Sequence, residues 1–250
     1  MRSFIQYKEI GPGRKVPFGP GAYSAEDWYL QMGWECTPFI EIEDIKDSLS
    51  FDDPVVGSIK NVLLALDFLK VRRPTSLEIP ESLYPYVHRK IWHTTLGEVK
   101  QHEEKWPVFI KPLRQHKLFT GHVLRNFTDL FKSMAFEDST EILASEPIDF
   151  DSEYRCFILN GEILDVRRYT GSLEWYPDLS KVRKMIASFR EAPVAYSIDV
   201  GSANGGQTVL VECNDAYALG SYGLAGHLQT KMITARWHEM CAPGNRISEI

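Results

Sequence analysis

Asn160-Gly161 stands between two runs that alternate apolar and polar residues, Glu153 to Leu159 and Glu162 to Arg168. An Asn-Gly pair in that setting is among the strongest local signals for a β-hairpin, because both turn residues must take positive φ. The second half of the chain is therefore expected to contain antiparallel sheet. With a two-residue turn, Leu159 faces Glu162, Cys156 faces Asp165, Arg155 faces Val166 and Glu153 faces Arg168. Paired residues share a face, so Glu153, Arg155 and Arg168 are expected on one side and Arg167 on the other. The sequence leaves two readings of that face open. It is either a solvated salt-bridge cluster worth little stability or part of a polar site.

A second hairpin is expected further on. Val194 to Val200 reads as a strand, Gly201 to Gly206 is turn chemistry, and Val209 to Asp215 reads as the returning strand. Alternation places Val209, Val211 and Cys213 on an apolar face and Leu210, Glu212 and Asn214 on the other. The hairpin carries Asp199 towards Glu212 and Asn214. Side-chain oxygens grouped in this way suit a hard cation such as Mg2+, which uses few protein ligands and keeps the rest of its sphere for water and phosphate.

Composition narrows the classes. A chain of 250 residues, 44% hydrophobic and 25% charged, is long enough for one large domain or two small ones. A net charge of −6 with pI about 5.7 argues against a broad nucleic-acid-binding surface. Cys36, Cys156, Cys213 and Cys241 are far apart with no CxxC pair, which fits a reduced, cytoplasmic protein. The N-terminus has no signal-peptide run, and the apolar run Val62 to Leu66 is too short to span a bilayer. No membrane partner is expected. The histidines lack zinc-ligand spacing. Walker-type, GxSxG and kinase HRD motifs are missing from the sequence.

The first half reads as strand, helix, strand, helix. Residues 3–8 form a strand, and Gly11 to Gly21 a loop. Ser24 caps a helix that stops at Gly33. Thr37 to Ile42 is a strand, and Asp53-Pro54 opens a second helix with Val55, Ile59, Val62, Leu66 and Leu69 at helical spacing. The proline-marked stretch from Pro74 to Pro85 closes this part. Beyond it come a short buried strand, Val108 to Lys111, a helix from Thr128 to Phe136, a strand from Glu141 to Pro147, the two hairpins and a final helix from Gly223 to Met240. The expected division is residues 1–85 and 86–250.

Together these pieces resemble the ATP-grasp superfamily of carboxylate–amine ligases. Trp106 to Pro112 looks like its strand-borne lysine. Ser145-Glu146-Pro147 followed by Glu153 looks like its nucleotide hinge and ribose-binding acid, and Asp199, Glu212 and Asn214 match its metal-ligand set. Glu153-Tyr154-Arg155 is similar to the acid-x-Arg element of the glutathione-synthetase and ribosomal-protein glutamate-ligase branch. His88 to Trp92 ahead of Lys111 looks like the arginine-plus-two-lysine pattern of one clade. The resemblance implies an α+β chain with an α/β N-terminal part: a small pre-ATP-grasp α/β domain, then an ATP-grasp fold holding nucleotide between two antiparallel sheets. After Lys111, the stretch Leu113 to Gly121 has a single glycine where many members are glycine-rich. Phosphate contact would rest on side-chain charge more than on backbone amides.

The resemblance also implies roles. ATP and Mg2+ are the expected cofactors. Lys90 and Lys111 would meet the α- and β-phosphates and Lys117 the γ-phosphate. Backbone from Ser145 to Ile148 would read adenine, with Glu146 near its amino group and Glu153 on the ribose. Asp199, Glu212 and Asn214 would hold Mg2+, and Arg155 and Arg168 would stabilise the charge that builds during acyl transfer. The expected substrates are a small-molecule or peptide carboxylate and an amine, with no nucleic acid. Tyr217 to Gly223 would line the acceptor site or simply pack as a turn. The competing functions are a phosphotransferase on the same fold and a nucleotide-binding module without turnover.

Overall fold

A computed structural model of the chain describes residues 1–113 and 118–247. The expected Lys117 contact lies outside the described residues.

The N-terminal unit contains β1 (Arg2–Glu9), β2 (Lys15–Pro17), α1 (Pro20–Gln31), β3 (Glu35–Phe39), β4 (Val55–Val56) and α2 (Ile59–Phe68). β1 pairs parallel with β3 and β4 and antiparallel with β2. Two helix starts differ from expectation. α1 opens at Pro20 rather than Ser24, because proline loses nothing by lacking an N–H in the first turn. Asp53-Pro54 does not open α2. Val55 and Val56 instead pair with Phe4 and Ile5, and the helix begins after Ser58, whose side chain accepts from the Asn61 N–H. Two buried β-branched residues beside an available strand join the sheet before the helix can claim them.

The middle of the chain forms a small sheet of β5 (Ile91–Thr95), β6 (Val108–Pro112), β7 (His122–Leu124) and β8 (Glu141–Ser145), in the order β5-β8-β6-β7 and antiparallel throughout. Short helices α3 (Leu96–Gln101) and α4 (Phe127–Leu130) connect its strands. Leu96, Val99, Val108, Ile110, Leu124 and Ile142 form a core drawn only from this region. Leu143 pairs with both His93 and Lys111, so those three side chains share one face.

The large sheet has the order β10-β9-β11-β12, antiparallel throughout, from β9 (Ser152–Leu159), β10 (Glu162–Gly171), β11 (Ala195–Ala203) and β12 (Gln207–Asp215). The Asn160-Gly161 turn forms as expected, with φ of 52° and 76°. The register beyond it does not follow expectation. An irregularity at Leu164 sets Asp165 opposite Phe157, Arg167 opposite Arg155 and Arg168 opposite Tyr154, and another at Tyr169 sets Thr170 opposite Glu153. One inserted residue moves everything after it to the other face. Arg167, not Arg168, therefore shares the face of Arg155.

β12 holds a second departure. Val200 pairs with Leu210 but Asp199 pairs with Glu212, which leaves Val211 as a bulge. Leu210 and Cys213 both enter the core that α5 (Leu179–Ser188) helps to cover. Glu212 and Asn214 share the opposite face, as expected, but Leu210 does not join them.

The last helix, α6 (Gly226–Met240), packs Met232 with Phe157 and Ala195 of the large sheet. Its Ile233, Trp237 and Met240 lie in the cores of the N-terminal unit, beside Ile5, Phe4 and Val62. It thus crosses the expected division of the chain. The four cysteines are free, and among the described residues no helix is long and apolar enough to cross a membrane.

Candidate functional site

A cavity of about 630 Å³ opens between the small and large sheets, within the size range of small-molecule sites. Lys111 and Leu143 line it from the small sheet, and Arg155, Glu212 and Asn214 from the large one. The linker Thr75 to Glu78 and the loop Tyr217 to Tyr222 close its ends.

Three neighbouring strands of the large sheet present a polar row. Arg155 on β9 pairs with Asp199 on β11, which pairs with Glu212 on β12. Lys111 crosses from the facing sheet to Glu212 at 3.1 Å. The Asn214 amide donates to Glu212 Oε1 at 3.0 Å and to Asp199 Oδ2 at 3.4 Å. These residues, widely spaced in sequence, converge as expected.

Asp199 is the most enclosed of these side chains. It is 1% exposed. Arg155 donates Nε to Oδ1 at 2.9 Å and Nη2 to Oδ2 at 2.6 Å, Ser197 Oγ adds 3.2 Å to Oδ1, and Asn214 completes the set. A carboxylate has about four lone-pair sites, and all are taken by protein donors. Asp199, expected beside the cation, is held in this structure by Arg155, Ser197 and Asn214. It anchors Arg155, and the Asn214 N–H groups face the Asp199 and Glu212 carboxylates.

Electrostatics follow from this packing. Burial raises the Asp199 carboxyl to about 6 against the opposing pull of Arg155, and Arg155 stays protonated despite its own burial because Asp199 faces it. At neutral pH the pair is ionised. Burial also opposes ionisation of Glu212, but Lys111, the Asn214 amide and Arg155 outweigh it and hold the carboxyl below its ordinary value. Among the described residues no cluster of three or more His, Cys, Asp or Glu side chains could hold a metal. Glu212 with the Asn214 amide oxygen fits Mg2+, which needs few protein oxygens.

An aromatic shelf caps Arg155. The Tyr222 ring lies 4.7 Å from its guanidinium carbon and stacks on Tyr169 at 5.0 Å. Tyr222 holds φ of 43°, a conformation costly for a side chain of this size. The Tyr169 hydroxyl donates to Glu153 at 3.0 Å. Burial raises the Glu153 carboxyl, partly offset by that bond, with Glu212 adding to the rise. Tyr169 reaches this face only through the irregularity in β10, so no alternation rule could have found it.

The remaining expected residues lie off the cavity wall. Lys90 is exposed, its ammonium 5.8 Å from the Trp92 ring centre. Its backbone N–H donates to the Glu146 carboxylate at 2.9 Å and its carbonyl accepts from the Glu146 N–H at 3.0 Å. Ile148 is half-buried. Arg168 is exposed on the Tyr154 side and donates to the Gly171 carbonyl, so the expectation that it shares a face with Arg155 is corrected by the register shift.

Several solved structures share the architecture. D-alanine–D-alanine ligase from Bacillus anthracis is 14% identical, with 96% of each chain covered and a TM-score of 0.57. N5-carboxyaminoimidazole synthetase from Staphylococcus aureus is 10% identical over 95% of this chain and 77% of that one, TM-score 0.59. L-amino acid ligase from Bacillus licheniformis is 10% identical over 94% and 69%, TM-score 0.54. Likeness at such identity speaks to the fold. No curated protein matches the sequence significantly. The family description "ATP-grasp domain, R2K clade family 2" matches residues 86–232, more than half of the chain and the stretch that holds both sheets of the cavity, and the protein belongs to that family.

Proposed function

We propose that the protein is an ATP-dependent ligase that joins a carboxylate to an amine through an acyl phosphate, with small-molecule or peptide substrates. The observation that carries this reading is the meeting of Lys111 with Glu212 and Asn214 across the cavity. A cation and two oxygen ligands on facing sheets are what a triphosphate with its metal requires, since phosphoryl transfer is mainly positioning and charge stabilisation. The ligases whose fold it shares support the same reaction class.

In this reading Lys111 offsets phosphate charge, joined by Lys90 and by Lys117. The Lys90–Glu146 backbone pair and the stretch to Ile148 form the base-reading edge, and Glu153 takes the ribose. Bound Mg2+ would supply charge neutralisation, held by Glu212 and Asn214 with Asp199 behind them. The substrate carboxylate attacks the γ-phosphorus and ADP leaves. The amine then attacks the acyl carbon and phosphate leaves. Arg155 is the guanidinium nearest the developing charge, and Arg167 replaces Arg168 as the second on that face.

The test is ADP release across a panel of amino acids and short peptides, followed by 18O labelling of the active carboxylate. Release that depends on the amine and label appearing in inorganic phosphate are expected. Label retained in the product overturns the acyl phosphate, and ATP binding without release on any pair overturns the ligase reading.

A further inference from the structure

Arg89 makes contacts that none of the roles above uses. It is half-buried in the linker ahead of β5 and reaches the edge of the large sheet. Its Nη1 donates to the Leu210 carbonyl at 2.7 Å and to the Val87 carbonyl at 3.1 Å, and its Nη2 donates to the Val211 carbonyl at 3.1 Å. Burial lowers its pKa, with no carboxylate contributing. Withdrawing a guanidinium partly from water to bond backbone carbonyls alone is costly, so the place where it is spent is informative.

That place is the bulge. Val211 is the extra residue between the Val200–Leu210 and Asp199–Glu212 pairs. Leu210 points into the core. By plain alternation Glu212 would follow it there, and Asn214 as well. The inserted residue alone turns both side chains into the cavity. A bulge on an edge strand leaves carbonyls out of the ladder, and Arg89 binds the two carbonyls immediately before Glu212. Its planar fork can span two acceptors at once, which an ammonium cannot do. The next residue, Lys90, is bonded through its backbone to Glu146, so one dipeptide ties the start of the small sheet to the strand that bears Glu212.

We infer that Arg89 is a positioning residue that locks the Val211 bulge and thereby aims Glu212 and Asn214 at the bound cation. The meaning of that cation site rests on the proposed function, but the clamp itself does not.

ADP affinity measured by calorimetry with and without Mn2+, in wild type and R89M, tests the inference. In wild type Mn2+ tightens ADP binding. In R89M that metal-dependent gain falls at least tenfold, while metal-free affinity stays within twofold. Hydrogen exchange in peptides covering residues 208–215 speeds up in parallel. A metal-dependent gain within twofold of wild type overturns the inference. Equal loss of metal-free affinity also overturns it, because it would make Arg89 a direct nucleotide contact. Should R89M fail to fold, R89K takes its place, with at least a threefold loss of the gain expected and no loss overturning the idea. If wild type shows no Mn2+ effect at all, the functional reading fails, and unchanged exchange over 208–215 then decides against the clamp separately.

Discussion

Glu212 and Asp199 are adjacent carboxylates in different surroundings, and substitution should separate them. E212Q removes the charged partner of Lys111 and, in the proposed function, the charged ligand of the cation. ADP release is expected to drop at least 100-fold with little change in melting temperature, because a partly exposed pair contributes little stability. The Glu212 carboxyl titrates below its unfolded value in the folded state. Its stabilisation is therefore present above the unfolded value and lost as pH falls through the folded one. Urea titrations should show wild type exceeding E212Q by a small margin at pH 7, and that margin shrinking as pH falls below the ordinary glutamate value. Asp199 shows the reverse sign. Its folded value of about 6 lies above the ordinary 3.8, so its own titration costs stability as pH rises between them. The Arg155–Asp199 pair is buried, and removing one partner strands the other. R155M or D199N alone should cost about 3–5 kcal/mol, and the R155M/D199L double variant much less than the sum. Equilibrium unfolding checks this, and additive losses would contradict the saturated pairing. At this scale the sequence was informative about Lys111, Glu212 and Asn214, because each ends or extends a short apolar run. It was silent on Asp199's four donors, which come from three different strands.

Elements explain where residue reasoning went astray. Alternation predicts faces only while the ladder is regular, and this ladder is interrupted near Leu164, Tyr169 and Val211. Each interruption exchanged faces, moving Arg168 and Leu210 off the site side and Tyr169 onto it. Bulges are settled by cross-strand partners and by donors such as Arg89, none of which is local in sequence. The Asn160-Gly161 turn was legible because its cause is local: both residues need positive φ. G161A should therefore cost about 1–2 kcal/mol in urea titration, with ADP release unchanged per folded molecule. The helix starts at Pro20 and Ile59 show the same contrast. Capping signals were present at Ser24 and Pro54, but a strand partner for Val55 and Val56 could not be read from the chain.

For the whole molecule, the antiparallel α+β character of the second half followed from the two hairpins, whereas the facing sheets and the site between them followed only from the family resemblance. The shared helix α6 followed from neither, because nothing local indicates that its Met232 faces one layer and its Trp237 another. Trp237 is 1% exposed, packs among residues of the N-terminal unit and donates its indole N–H to the Phe51 carbonyl at 3.0 Å. W237A should destabilise by about 3–5 kcal/mol. The N-terminal unit and large sheet should still melt in one transition by calorimetry, whereas two separated transitions would show that α6 does not couple them. The small sheet is built otherwise. Its apolar centre is its own, and its first and last strands are fastened to each other at Lys90 and Glu146. Two threads nevertheless stitch it to the larger layer, Ile91 resting on that layer's core and Arg89 bonding its rim, so the width of the opening is set by that seam on one side and by the Lys111–Glu212 bond that bridges it.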